Sequence, residues 1–70
     1  MVKPDHIYRT ASGVEQLVVQ VTLEDVFYLE AATPGGPFPF EAEPHMSNIY
    51  RFTTPTPTDL GPVDPGRLFQ

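Results

Sequence analysis

The distribution of proline constrains the fold of this chain more than any other feature of its sequence. Four of the nine prolines lie in residues 34–44 and four in residues 55–65, whereas none lies between Asp5 and Thr33. Proline cannot donate a backbone hydrogen bond, so it is excluded from central strands and helix interiors. The sequence therefore predicts regular structure over residues 6–32, with a second short piece near residues 47–54.

Two segments of the proline-free region are typical of β-strands. Residues 15–21 (EQLVVQV) are rich in β-branched side chains, with apolar residues at alternate positions. Residues 6–10 (HIYRT) are a second strand candidate, and residues 11–13 (ASG) between the two segments favour a turn. We expect these two strands to pair as an antiparallel hairpin.

Residues 26–31 (VFYLEA) admit two interpretations. Valine, phenylalanine and tyrosine prefer a pleated surface, which favours a strand. A short helix near residues 23–32 is the alternative, because Thr22 is placed to cap the backbone amide of Asp25. We favour the strand. Residues 47–54 (SNIYRFTT), which contain aromatic and β-branched side chains, are predicted to form a further strand.

These segments predict an all-β domain over residues 1–54, built as a small antiparallel sheet or a partly open barrel of three or four strands. An α+β fold with one short helix near residues 23–32 is the alternative. Residues 55–70 contain four prolines and two glycines. Such a composition favours extended conformations, so we predict a proline-rich C-terminal arm.

Charge and cysteine content exclude several classes of protein. Nine carboxylates face four basic residues, for a net charge of −5, and there is no cysteine. Nucleic-acid binding needs Lys and Arg against the phosphates, so we expect neither a nucleic-acid partner nor an anionic membrane. Disulfides and thiolate metal sites are excluded. Without a secretory signal or a long apolar run, we expect a cytoplasmic protein.

Few side chains are suited to catalysis. The chain has one lysine, two histidines and two serines, and neither Ser12 nor Ser47 lies in a Gly-x-Ser-x-Gly setting. Nucleophilic catalysis needs an activated nucleophile beside a base, and this sequence has few candidates for either. We predict a protein that is not an enzyme and needs no cofactor.

Two proline-rich segments each carry a pair of large apolar residues. Phe38 and Phe40 lie two residues apart, so in an extended segment both rings point to the same side. One interpretation is that they fold back over the sheet edge and cover it. The functional interpretation makes Phe38, Phe40, Leu68 and Phe69 the anchors that bind a protein partner or a neighbouring subunit.

One constellation has the residue types of a metal site. Glu41, Glu43 and His45 would lie on one side of an extended chain, and His6 could complete a site with two histidines. Alternating acids are also common on the solvent face of a loop. A metal- or small-ligand-binding protein that uses Glu41, Glu43 and His45 is therefore the alternative function, and the prediction itself names no metal ligand.

The sequence predicts a small acidic protein–protein interaction module. A chain this short buries a modest core and gains stability from association, so we expect a homo-oligomer or a complex with a foreign protein. An inhibitor of the kind that phages or plasmids produce, a structural assembly subunit and an accessory subunit of an enzyme all fit this description.

Overall fold

The computed structural model of the protein describes residues 1–69, with side chains for residues 1–68. The elements are β1 His6–Arg9, β2 Glu15–Val21, β3 Asp25–Glu30, β4 Phe38–Pro39, β5 His45–Asn48, α1 Ile49–Phe52, β6 Thr58–Pro62, a 3₁₀ turn at Pro65–Arg67, and β7 Leu68–Phe69. Five of the strands form an antiparallel sheet in the order β5-β3-β2-β1-β6, and the other two form a separate parallel pair, β4 with β7.

The predicted hairpin is confirmed. β1 and β2 pair antiparallel with Ile7 opposite Leu17. In the turn between them, Gly13 has a φ of 91°, a conformation that other L-residues rarely adopt. The N–H of Gly13 donates to the carbonyl of Thr10 at 2.9 Å, and the N–H of Val14 donates to Oγ1 of Thr10 at 3.1 Å. The turn therefore fixes the register of both strands.

Residues 25–30 form a strand, so the alternative helix near residues 23–32 is wrong. The expected contact from the Asp25 N–H to Oγ1 of Thr22 does form, at 3.0 Å. It tightens a turn between β2 and β3 instead of starting a helix, because the N–H of Thr22 also donates to the carbonyl of Asp25 at 2.9 Å. Val26 and Leu29 then enter cores on opposite faces of the sheet, as the alternation of a strand requires.

The mostly β fold with a small antiparallel sheet is confirmed, but the predicted count of three or four strands is wrong, since the main sheet has five. β6 supplies the difference: it lies within residues 55–70, where an arm was expected, and pairs antiparallel with β1. The strand predicted at residues 47–54 is also wrong in part. β5 ends at Asn48, whose side-chain oxygen accepts the N–H of Tyr50 at 2.9 Å and caps helix α1.

Each face of the sheet carries a core. On one face, hereafter the first face, the buried cluster comprises Ile7, Leu17, Leu29, Ala31 and Phe38. On the second face, the buried cluster comprises Val2, Tyr8, Val18 and Val26. β4 and the C-terminal segment cover the first cluster, and Ile49 and Phe52 of α1 pack against the second. No helix in the described part of the chain is long and apolar enough to cross a membrane.

Candidate functional site

The structure places the predicted anchor Phe38 inside the molecule. Its side chain is 0% exposed and packs among Ile7, Leu17 and Leu29. The guanidinium carbon of Arg67 lies over the Phe38 ring, 4.8 Å from its centre. This position agrees with the interpretation in which the proline-rich segment folds back over the sheet, and it leaves Phe38 without surface for a partner.

The other predicted anchors do not meet on one exposed surface. The side chain of Phe40 is 50% exposed, whereas Leu68 is half-buried and packs against the core that contains Phe38. In the β4–β7 ladder Phe38 lies opposite Leu68, and Pro39 lies opposite Phe69. The side chain of Phe69 lies outside the described residues. Among the anchors with described side chains, Phe40 alone therefore offers substantial apolar surface.

A buried ion pair fastens this C-terminal segment to the sheet. Nη2 of Arg67 donates to Oε1 of Glu15 at 2.6 Å, and the same guanidinium donates from Nε and Nη2 to the carbonyl of Gly36. The Gly35 N–H also donates to Glu15 at 3.0 Å. The Gly35 hydrogen bond, followed by that from Arg67, lowers the pKa of Glu15. The Arg67 guanidinium therefore stabilises the fold.

The residues of the alternative metal site lie in the loop before β5, on β5 and on β1. Glu41, Glu43 and His45 are all exposed, and His45 stacks on the ring of Tyr28 at 5.4 Å between centroids. His6 lies on β1, which β3 and β2 separate from β5, and its Nδ1 is 3.0 Å from Asp59. Over residues 1–69, no three histidine or carboxylate side chains are grouped so that they could hold a metal ion.

An open strand edge was missed by the sequence reasoning. In the described chain, β5 pairs with β3 alone and ends the sheet. The N–H of Ile49 donates to the carbonyl of Glu24 at 2.7 Å, so this pair of residues is hydrogen-bonded. In an antiparallel ladder bonded and non-bonded pairs alternate, which makes Ser47 a bonded partner of β3 and Met46 a non-bonded one. The backbone N–H and C=O of Met46 therefore point away from the sheet.

An exposed apolar pair lies beside this edge. Met46 is 62% exposed and lies directly opposite Phe27, which is half-buried. Both side chains are on the first face of the sheet, because Phe27 precedes the core residue Leu29 by two positions in β3. The two core clusters, as described, do not include Phe27. Leu23, in the turn before β3, adds a side chain that is 98% exposed.

A shallow groove of about 620 Å³ adjoins the start of β5. Its lining is mostly small and apolar, with one acidic side chain and one imidazole: Val14, Glu30, Ala31, Ala32, Pro37, Pro39 and His45. Nε2 of His45 lies 3.9 Å from Oε1 of Glu30; the His45 side chain is exposed and that of Glu30 is partly exposed. We use the term β5 surface for this groove together with Phe27, Met46 and the outward backbone of β5.

The charged side chains around the β5 surface are mostly acidic. Residues 10–50 contain six carboxylates and neither lysine nor arginine. One of the six, Glu15, is paired with Arg67, and the other five lie in or next to β3 and in the segment that leads into β5: Glu24, Asp25, Glu30, Glu41 and Glu43. Arg51 on α1 is the basic residue that follows β5 in the chain, so carboxylates outnumber cations around this strand.

The β5 surface brings together outward backbone hydrogen-bonding groups, apolar side chains and negative charge. Neither histidine of the described chain hydrogen-bonds a hydroxyl group, and each has one carboxylate neighbour, Asp59 for His6 and Glu30 for His45.

Comparison with models of known protein families, with curated proteins and with solved structures finds no match to this chain.

Proposed function

We propose that this protein is a small, acidic, non-catalytic interaction module that acts by binding a protein, either a foreign partner or a copy of itself, through the β5 surface. One observation carries the proposal: Met46, with its backbone groups directed outward and its side chain 62% exposed, lies across from the half-buried Phe27 at the end of the sheet. Apolar side chains beside an unpaired strand edge favour association with another chain.

The size of the molecule supports the choice of this surface. A standard protein interface covers about 800 Å² on each partner, which is roughly a sixth of the 4744 Å² that this chain exposes. An interface of that size spans β5, the adjoining groove and the β2–β3 turn together. Full burial of one large apolar side chain contributes about 1.5–3 kcal/mol, so Met46 and Phe27 can supply the centre of such an interface.

The arrangement of titratable side chains supports binding over catalysis. Glu30 and His45 lie in an open groove with their side chains accessible to water, which weakens any electrostatic interaction between them. In the described chain no serine or threonine hydroxyl is within hydrogen-bonding distance of either imidazole. Covalent catalysis requires a nucleophile that a neighbouring base activates. The two imidazoles of the described chain have no such hydroxyl beside them.

The proposal is tested first by native mass. Light scattering after size exclusion is measured for the wild type, Met46→Lys and Leu60→Lys. Leu60 is the matched control, because it is also a partly exposed apolar residue on an edge strand, but on β6 at the opposite end of the sheet. If the protein binds itself through β5, the mass exceeds the 7.8 kDa of one chain and Met46→Lys alone reduces it.

A monomeric wild type directs the test to foreign partners. A photo-crosslinking amino acid is placed at position 46 or, as control, at position 60, and the protein is exposed to an extract of its native cells. We expect adducts from position 46 that excess wild type suppresses and Met46→Lys does not. A monomer that gives no suppressible adduct from position 46 contradicts the proposal.

A further inference from the structure

We infer that the β5 surface binds an extended, positively charged segment of a partner protein, which adds to β5 as the sixth strand of the sheet. This inference rests on the proposed function and specifies the mode of binding and the chemistry of the partner. It follows from the outward backbone of β5, from the two different faces of that strand, and from the distribution of charge.

The backbone of β5 provides the first reason. The N–H and C=O of Met46 and the N–H of Asn48 have no role in the β3 ladder, since Ser47 and Ile49 are the residues bonded to β3. β5 contains no proline and no register shift against β3. An incoming strand thus finds a regular edge on which to continue the ladder.

The opposite edge of the sheet is a poor template by comparison. β6 includes Pro62, which cannot donate, and its pairing with β1 shifts register between Ile7 and Tyr8. Gly61 on β6 has a φ of 94°, outside the range of a regular strand. Bulges and prolines are devices by which edge strands are protected from pairing, and in this sheet they occur on β6. β5 is therefore the edge at which a strand can add.

The side chains of β5 specify alternation in the partner. On the first face, a residue opposite Met46 would extend the cross-strand row that begins with Phe27, which favours an apolar side chain there. On the second face, β5 presents His45 and Ser47, and Glu30 lies beside His45. A lysine or arginine in the partner at that face would reach Glu30. The favoured segment alternates apolar and basic residues.

Charge selects a basic partner over a second copy of this chain. Asp25 lies opposite Asn48 at one end of β5, and Glu41 and Glu43 immediately precede the other end. Two copies joined edge to edge at β5 would bring the same carboxylates together, and like charges repel. A basic segment meets opposite charge at both ends of the strand. Its affinity should fall as salt is added, whereas self-association should be favoured by salt.

The experiment uses synthetic peptides on isotope-labelled, full-length protein. A capped peptide that alternates lysine and valine is titrated while amide resonances are recorded, and a glutamate–valine peptide is the charge control. We expect the lysine peptide to bind, to shift the resonances of β5 and its neighbours on β3, and to weaken with salt. The glutamate peptide is expected not to bind.

Backbone methylation distinguishes strand addition from simple charge attraction. In an antiparallel complex the backbone N–H of the valine opposite Met46 donates to the carbonyl of Met46. Methylation of the backbone nitrogens of the valines therefore weakens binding, whereas methylation of the backbone nitrogens of the lysines does not. A parallel complex reverses the two results. Either pattern supports the inference, with a loss of about tenfold or more for removal of two hydrogen bonds. Equal affinities for the two methylated peptides overturn it.

Two variants complete the test on the protein side. Met46→Pro removes the outward N–H of residue 46 and leaves the hydrogen bonds from Ser47 and His45 to β3. Proline is tolerated on an edge strand at a position where the N–H would otherwise face solvent. Met46→Ala keeps the backbone and removes the side chain. We expect Met46→Pro to weaken the lysine peptide about tenfold or more, and Met46→Ala to weaken it less. If Met46→Pro disturbs the fold, Met46→Lys tests the same edge by charge.

The inference and the proposed function can fail separately. Absence of binding by the lysine peptide, or binding without shifts on β5, overturns the inference. If native mass or crosslinking still depends on Met46 in that case, the proposed function stands and the occupant of the β5 surface is another chain, including a second copy. If neither measurement depends on Met46, both proposals are wrong.

Discussion

Arg67 and Glu15 are separated by 52 positions in the chain, yet Nη2 of Arg67 lies 2.6 Å from Oε1 of Glu15. The exposed fractions of the two side chains are 20% and 8%, so the pair is largely removed from water. Through this contact the last described residues hold the proline-rich segment against β2. The cover over the first-face core therefore depends on a polar clamp as well as on Phe38.

Removal of the clamp should destabilise the fold. Arg67→Met keeps an apolar stem against Phe38 but leaves the Glu15 carboxylate without its cation. We expect the free energy of unfolding to fall by about 1–3 kcal/mol, because a hydrogen bond to a charged, largely buried group is lost. Urea denaturation followed by circular dichroism measures this. Arg51→Met is the control, because Arg51 is exposed on α1, and it should change stability by about 0.5 kcal/mol or less.

The clamp should also give the protein a specific sensitivity to acid. The pKa of Glu15 in the folded state is below 4.5, its ordinary value, first because of the Gly35 N–H and then because of Arg67. The stability that Glu15 contributes is therefore complete above its unfolded pKa and is lost as pH falls through the folded pKa.

Urea denaturation at a series of pH values measures this effect. Between neutral pH and about 4.5 we expect a constant difference in stability between the wild type and Glu15→Gln, and below that range the difference should shrink. The pKa of Asp59 is also lowered, first by its hydrogen bond with His6, but that group titrates in both proteins. A difference that does not change at acid pH would exclude Glu15 as its source.

The two phenylalanines of the proline-rich segment should respond in opposite ways to truncation. Phe38 is 0% exposed and Phe40 is 50% exposed. Phe38→Ala should lower the free energy of unfolding by about 3–5 kcal/mol, because it leaves a cavity under β4 and β7. Phe40→Ala should cost less than about 1 kcal/mol. Equal effects of the two substitutions in thermal or urea denaturation would contradict the burial described above.

Helix α1 should be attached to the sheet mainly through one aromatic cluster. The ring of Phe52 lies 5.8 Å from that of Tyr8 in an edge-to-face arrangement and 5.5 Å from that of Tyr28. Phe52→Ala should cost about 1–3 kcal/mol and reduce the near-ultraviolet circular dichroism of the tyrosines. Tyr50→Ala, at a position 75% exposed on the same helix, should leave stability nearly unchanged.

Local patterns were sufficient to predict the elements whose interactions are close in sequence. The hairpin of β1 and β2 follows from β-branched residues and a turn with Gly13, and β3 follows from its aromatic and branched side chains. The end of β5 was predicted wrongly because Ile49 to Phe52 have strand-forming side chains. In the structure the cap by Asn48 and the burial of Phe52 against Tyr8 outweigh that preference.

Features that depend on distant contacts could not be read from the sequence. β6 has an unremarkable composition, TDLGP, and becomes a strand because β1 offers it an unpaired edge. The sequence does not distinguish the apolar residues Phe38 and Met46 by their surroundings. In the structure Phe38 is buried beneath the contact between Arg67 and Glu15, whereas Met46 is exposed because it lies on the last strand of the sheet. The β5 surface was missed for this reason, since an open edge is defined by the order of strands.

The most direct test of the β5 surface is amide hydrogen exchange at Met46 and Ser47, measured in the free protein and with the lysine–valine peptide. In the free protein we expect fast exchange at Met46, whose N–H points outward, and slow exchange at Ser47, which is bonded to β3. With the peptide, Met46 should become protected and Ser47 should change little. Fast exchange at Met46 in a saturated complex would contradict strand addition at β5, and slow exchange in the free monomer would show that this edge is closed.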